Sequence, residues 1–196
     1  MNKNIIGLTG GIGCGKSTAA KIFRSLNCEI LDADSICHEL YNDPDGPVTK
    51  AIAERWGTKV FRSNLADRKK IADLVFNDKK ELLWLNSILH PLIFEKAYEI
   101  SEHVIDKELI IFDVPLLFEV KWEKYFSHII TIWSPKEIQL ERLRQRNWSD
   151  KEIKARIASQ ISADEKLERA DFGIINNGSL DLLIKQCKYI MIELKR

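Results

Sequence analysis

Charge of one sign is what this sequence most lacks. Across 196 residues, 30 Lys+Arg stand against 29 Asp+Glu, a formal net charge of +1. With no global basic field there is no case for nonspecific nucleic-acid binding, and any anion site has to be local. Long apolar runs are missing too. The amino-terminal MNKNIIGLTGG offers a short apolar stretch that glycines break at once, unlike the core of a signal peptide. No run approaches the roughly 20 apolar residues that cross a bilayer, and the final Leu194, Lys195 and Arg196 resemble no lipidation signal. Neither export nor a membrane partner is expected. Cysteine is sparse: Cys14, Cys28, Cys37 and Cys187 form no CxxC pair and no metal-like cluster with the four histidines. Reduced thiols in a cytoplasmic protein are the simple reading.

What is present is enough for a core. With 45% apolar and 30% charged residues, the chain is too apolar for disorder and too evenly charged for a membrane. Its length favours one globular domain carrying insertions over two independent ones. A chain of this size buries about 70% of its unfolded surface and needs no disulfide or metal staple.

The order of elements points to an α/β fold. Residues 4–9 (NIIGLT) are apolar and β-prone and run into a glycine cluster, a buried strand feeding a loop. A helix is predicted from Lys16, with Ala19, Ala20, Ile22, Phe23 and Leu26 at helical spacing and Asn27 at its end. Residues 28–31 form a second strand ending at Asp32, completing a strand–helix–strand unit. From Ser35 to Ile105 no strand is convincing except 59–61, and helical patterns are punctuated at 43–47 (DPDGP) and at His90-Pro91, where a helix is expected to begin. Residues 109–112 and 128–133 return to strand character, ending at Asp113 and at Ser134-Pro135. Helices are predicted over about 135–146, 150–169 (Ile153, Ile157, Ile161) and 179–195 (Leu180, Leu183, Cys187, Ile190, Leu194), with a fifth strand near 172–175.

The strongest signal is Gly10-Gly-Ile-Gly-Cys-Gly-Lys-Ser17, which fits GxxxxGK[ST] between a strand and a helix, the context that the motif requires. Its glycines, Gly11, Gly13 and Gly15 among them, permit the backbone of Ile12 and its neighbours to converge N–H groups on an anion. The helix adds its positive dipole end. Lys16 is expected at the β and γ phosphates of ATP and the Ser17 hydroxyl on Mg²⁺. Cys14 lies inside this loop. A helix N-terminus and a neighbouring lysine both favour thiolate, from about 8.5 towards neutrality, so its thiol is expected to react selectively and to be protected by nucleotide. The alternative is a small buried spacer whose sulfur points away from the anion.

Asp32 and Asp34 follow the second strand, and period-two geometry puts both on one side with Ala33 opposite. One of them can orient an acceptor hydroxyl at the carboxyl end of the sheet, or both can cap a helix starting at Ser35. Asp113 holds a Walker B-like position for Mg²⁺, or forms a turn in Asp113-Val-Pro115. Gln139, Arg142 and Arg146 share a predicted helix face towards a lid. They suit charge stabilisation in phosphoryl transfer, or a solvated surface. His90 reads as a capping or packing residue or a catalytic one.

In this combination the sequence closely resembles the dephospho-coenzyme A kinase family through nearly the whole chain. The resemblance rests on residues 7–18 (GLTGGIGCGKST), Asp32-Ala-Asp34, Asp67-Arg68 with Val75-Phe76, His90-Pro91 and residues 113–119 (DVPLLFE). Later come Gln139, Arg142, Arg146, Gln160, Lys166, Ala170-Asp171 and Asn176. It implies a P-loop kinase with a five-stranded parallel sheet flanked by helices. The core would cover about 1–34, 107–141 and 170–196, a helical acceptor-binding insertion about 35–106, and a lid about 142–169. It implies ATP-dependent phosphorylation of the ribose 3′-hydroxyl of dephospho-CoA with Mg²⁺, by a monomer or weak homo-oligomer. On this resemblance Asp34 is the base, and Lys16 with Arg142 or Arg146 serves the phosphates. Residues 11–18, Thr18 included, and Asn176 bind the nucleotide, and the Ala170 to Asn176 region lies near adenine. Asp34, Asp67, Arg68, His90, Asp113 and Leu116 attend the acceptor, and Ser17 and Asp113 the metal. Cys14 stands where the family usually has serine or alanine, Asn147 where an acid commonly follows the lid arginine, and Phe172-Gly173 where a polar or β-branched pair is usual. A kinase of another small acceptor, such as a nucleoside monophosphate, shares the core; a regulatory GTPase requires an NKxD-type motif, which the sequence lacks.

Overall fold

Six residues with no exposed side chain, Ile5–Gly10, form β1, and a strand buried on both faces belongs in the interior of a parallel sheet. The computed structural model describes residues 5–62, 65–104, 106–107 and 109–196; Asn4, expected in this strand, lies outside them. The chain forms two compact units, Met1–Leu31 with Ile105–Arg196, and Asp32–Val104.

In the first unit β1 leads through the glycine loop to α1 (Lys16–Ser25) and β2 (Glu29–Asp32). After the second unit come β5 (Ile110–Asp113), β6 (His128–Trp133), α6 (Lys136–Arg144), α7 (Asp150–Ala158), α8 (Ala163–Arg169), β7 (Phe172–Ile175) and α9 (Leu180–Glu193). The sheet order is β2-β5-β1-β6-β7, with β1 parallel to β5 and β6, and β6 parallel to β7. One face packs on α1 and α9 through Leu8, Phe23, Ile130, Ile132, Ile174, Leu183 and Cys187, each large side chain stabilising by about 1.5–3 kcal/mol. The other face has no room above Gly7, where a Cβ would meet Leu117 at 2.7 Å and Phe126 at 3.0 Å. α1 stops as its sequence predicts. Asn27 takes a left-handed φ of 65°, the Cys28 N–H bonds the Phe23 carbonyl at 3.0 Å and the Asn27 N–H that of Arg24 at 3.2 Å, a Schellman ending.

The predicted single helix over 150–169 is two. Ser149 opens α7 with a reciprocal capping box to Glu152. Ser162 caps α8 by accepting the Glu165 N–H, and the Ile161 N–H between them is claimed by Glu119. Leu180, expected on the inner stripe of α9, is 58% exposed, and Met191 takes a buried place instead.

The second unit contains α2 (Ala33–Asn42), α3 (Pro47–Trp56), α4 (Arg68–Asn77) and α5 (Lys79–His103), with a short antiparallel pair, β3 (Phe61–Arg62) and β4 (Leu65–Ala66). The DPDGP stretch separates α2 from α3 as expected. The strand expected at 59–61 is displaced, because residues 57–60 form a 3₁₀ turn. His90-Pro91 does not begin a helix; it lies in the middle of α5. An interior proline costs about 3 kcal/mol. Leu85, Leu89, Ile93, Phe94 and Ala97 are buried on both sides of it, and that burial outweighs the break.

Candidate active site

The glycine loop connects the carboxyl end of β1 to α1 and gains its shape from positions that no other residue tolerates. Gly13 and Gly15 have φ of 79° and 93°, the left-handed region that glycine enters freely. A Cβ at Gly13 would lie 2.9 Å from the Gln139 carbonyl, and one at Gly15 would lie 2.2 Å from Asn176 Nδ2. The loop's carbonyls are claimed from one side. Asn176 Nδ2 donates to the Cys14 carbonyl at 2.8 Å, and Arg142 Nη1 reaches the Gly13 and Cys14 carbonyls at 3.4 and 3.3 Å. Ser134 braces both partners: its hydroxyl donates to the Asn176 carbonyl at 2.7 Å and lies 3.0 Å from Arg142 Nη1. No side chain caps the start of α1 among the described residues, so its first N–H groups are open to an anion.

On the other side the loop lines a depression of about 190 Å³ with Lys16, Ser17, Pro115, Arg146 and Gln160. An adjoining one of about 500 Å³ is lined by Gly13, Gly15, Thr18, Arg142, Arg146, Asn176 and Leu180. The Lys16 ammonium is paired with the carboxylate of Asp113 at the end of β5. A backbone nest with a lysine and a helix N-terminus fits a polyphosphate. Ser17 and Asp113 add hard oxygen donors of the kind that hold Mg²⁺ beside phosphates.

The two arginines, expected on one helix face, do different things. Arg142 is fastened to the loop, Ser134 and the Asn176 carbonyl, the last at 3.2 Å. Arg146 lies beyond α6, which ends at Arg144, and is exposed in the turn that lines both depressions. That turn relies on Asn147, whose φ of 61° suits asparagine better than most side chains.

The reactive-thiol expectation for Cys14 is overturned. Its side chain is 0% exposed and belongs to the core beneath the sheet, and burial pushes the thiol up to about 11, against weaker lowering by backbone hydrogen bonds and Arg142. The sulfur is a buried spacer.

Asp32 and Asp34 do not alternate along a strand. Asp32 is the N-cap of α2, accepting the Asp34 and Ser35 N–H groups at 2.8 and 3.2 Å; this puts Asp34 in the first turn of the helix. Asp34 lines an open depression in the second unit with Ser35, His38, Glu39 and Arg68. Asp67 and His90 are not among that lining. Asp67 caps α4 through the Lys69 and Lys70 N–H groups, and His90 sits half-buried on α5, its basicity lowered by burial. Leu116 is 40% exposed in the turn after β5, whereas its neighbours Leu117 and Phe118 are buried.

Sequence reasoning missed Ser134, whose position before Pro135 signals only a helix start. It also gave no role to Glu119 and Lys166, which form an ion pair at 2.8 Å with the lysine fully buried and the glutamate largely so. Their partners lie more than forty residues apart in sequence, and no local pattern shows them.

Comparison with known proteins agrees with this geometry. A family model described as dephospho-CoA kinase matches residues 4–181. A curated relative named dephospho-CoA kinase, from Lactobacillus acidophilus, is 37% identical over 195 residues, 97% of each chain. Among solved structures, dephospho-CoA kinase from Campylobacter jejuni is 32% identical, covers 98% of both chains and has a TM-score of 0.69; TT1252 from Thermus thermophilus is 30% identical over 99% of both, with a TM-score of 0.85. With its phosphate loop, sheet order and near full-length match, the chain belongs to the dephospho-CoA kinase family.

Proposed function

We infer that this protein transfers the γ-phosphoryl group of ATP to the ribose 3′-hydroxyl of dephospho-CoA, giving coenzyme A and ADP. The observation that carries the reading is the match to the family over residues 4–181, with an open phosphate loop inside the matched span. In the reaction the bond between the γ phosphorus and the β,γ-bridging oxygen breaks, and a bond from the 3′-oxygen forms. The hydroxyl proton leaves towards the Asp34 carboxylate. Loop N–H groups and Lys16 bear the developing charge, since phosphoryl transfer depends on positioning and electrostatics more than on covalent help. Arg146 serves the transferred phosphate; its exposed guanidinium beside the loop supports this over Arg142, whose hydrogen bonds brace the loop and the Asn176 carbonyl. Ser17 and Asp113 would hold Mg²⁺, which would neutralise phosphate charge.

Acceptor binding is assigned to Asp34, Asp67, Arg68 and His90, and to Asp113 and Leu116. The segment 142–169 acts as a lid. The work is assigned to the cytoplasm and to a monomer or weak homo-oligomer; no helix among the described residues is long and apolar enough to cross a membrane. The test is ADP release from ATP with dephospho-CoA against a panel of nucleoside monophosphates. Turnover confined to dephospho-CoA, and lost on the order of 10²-fold or more in Lys16→Ala, is the expected result; preference for a nucleoside monophosphate would refute the acceptor.

A further inference from the structure

Among the described residues the most deeply buried charge is that of Lys166, 0% exposed. An ammonium without water persists only where its donors find acceptors. Its Nζ lies 2.8 Å from Glu119 Oε1 and donates to the Pro115 carbonyl, also at 2.8 Å. The same Glu119 oxygen accepts the Ile161 N–H at 2.9 Å, and Glu119 Oε2 is buried with no partner among the described residues. Burial pulls the lysine towards neutrality, and Glu119 opposes that pull.

As a stabilising device this is a poor choice. Apolar residues of equal volume often do as well as a buried ion pair, and an orphan carboxylate oxygen adds a desolvation cost. What the pair achieves is a connection. Pro115 stands between the metal-side Asp113 and the exposed Leu116, and the Thr9 hydroxyl of β1 also donates to its carbonyl at 3.1 Å. Ile161 follows Gln160, which lines the phosphate depression with Arg146. The start of α8 presses on the loop as well: a Cβ at Gly11 would lie 2.8 Å from that of Ala163, and the Trp133 indole N–H donates to Asp164 at 2.6 Å.

Building on the kinase reading above, we propose that Glu119 and Lys166 are positioning residues for phosphoryl transfer. The pair holds the Gln160 segment against the phosphate loop in register with the Pro115–Leu116 turn, and Gln160 is the group it delivers to the phosphates. Nothing in this role requires the pair to touch a substrate.

Full-length variants test it through kcat, KM for ATP and for dephospho-CoA, and thermal midpoint. Lys166→Met combined with Glu119→Leu removes both charges, so its midpoint returns close to that of the unaltered protein. Its kcat stays low on the order of 10²-fold, the scale of a misplacement of about 1 Å. Gln160→Ala, at a half-buried position, leaves the midpoint unchanged and lowers kcat by a similar factor, on the order of 10²-fold. In a Glu119→Gln background the same alanine adds little, because the residue is already misplaced. A double replacement with unaltered kcat and KM overturns the proposal, and so does a Gln160→Ala effect that is equally large in both backgrounds. If the pair variants melt too low to assay, unaltered kcat in Gln160→Ala overturns it alone. Each readout is a ratio to the unaltered protein, whose own turnover of dephospho-CoA tests the kinase reading independently.

Discussion

Replacing Arg142 by alanine is expected to damage the fold more than the chemistry, and Arg146→Ala the reverse. Arg142 gives up contacts at 3.0 Å to the Ser134 hydroxyl and 3.2 Å to the Asn176 carbonyl, besides two longer ones to loop carbonyls. Hydrogen bonds from a charged donor contribute about 1.5–3 kcal/mol each, and those at 3.3–3.4 Å add little. The side chain is half-buried, so water replaces part of the loss and about 2–3 kcal/mol is the expected total. For a chain of this size each kcal/mol moves the melting midpoint by about 2–4 °C, giving a fall of about 4–12 °C. A loosened loop also raises KM for ATP. Arg146 is exposed and in no ion pair among the described residues, so its alanine variant melts unchanged while kcat drops on the order of 10²-fold. Thermal melts by circular dichroism, paired with a coupled ADP assay, separate the two. An Arg142→Ala protein that melts normally yet has lost turnover, or an Arg146→Ala protein with full kcat, refutes the division of labour.

Asp34→Asn is expected to lower kcat by about 10²- to 10⁴-fold with KM for ATP little changed, the range for general-base help. Asp32→Ala instead removes an N-cap, costs about 1 kcal/mol in a denaturant melt and spares kcat; the opposite ranking would reassign the carboxylate. Maleimide labelling followed by peptide mass mapping should find Cys37 first. It alone of the four is not fully buried; burial raises its thiol too, but Cys14 and Cys187 are raised to about 11 and about 12, and early, MgATP-protected labelling of Cys14 is the contrary outcome. In the helical unit, hydrogen bonds from Arg55 and Trp56 lower Glu81 from its ordinary 4.5 to about 2. Its contribution is therefore complete above pH 4.5 and lost as pH falls towards 2, so acid melts of Glu81→Gln should show a flatter decline over that window.

Much of the first unit was legible because its signals are local. A run of apolar β-formers, a glycine cluster and a lysine–serine pair specify strand, loop and helix within about twenty residues. Asn27 announces its helix end by residue type alone. What was hidden depends on partners distant in the chain. α5 runs through Pro91 because apolar side chains on both sides of it are buried, and α7 and α8 part where Glu119 takes the Ile161 N–H. The alternation assumed for Asp32 and Asp34 failed because Asp32 turns back to cap α2, ending the strand period one residue early. Cys14 looked reactive from its neighbours in sequence, but the loop turns its sulfur into the core. Arg142 and Arg146 looked alike on a helical wheel, but α6 ends at Arg144, and Arg142 alone of the two is tied to Ser134 and Asn176.

The pairing of β1 has a consequence for how the chain is made. Ile5 meets Ile110, and Ile6 meets His128, so β1 leaves the ribosome with no sheet partner until more than a hundred residues later. At about 5–20 residues per second that is a wait of roughly 5–20 s. The Asp32–Val104 unit is continuous in sequence and mostly helical, the kind of topology that forms quickly from neighbours. It emerges whole while the glycine loop is still tethered to an unpaired strand. The carbonyls of that loop then depend on Ser134, Arg142 and Asn176, so the phosphate site is among the last parts to assemble. A chain stalled before β6 carries the nucleotide-binding motif without the means to hold its shape.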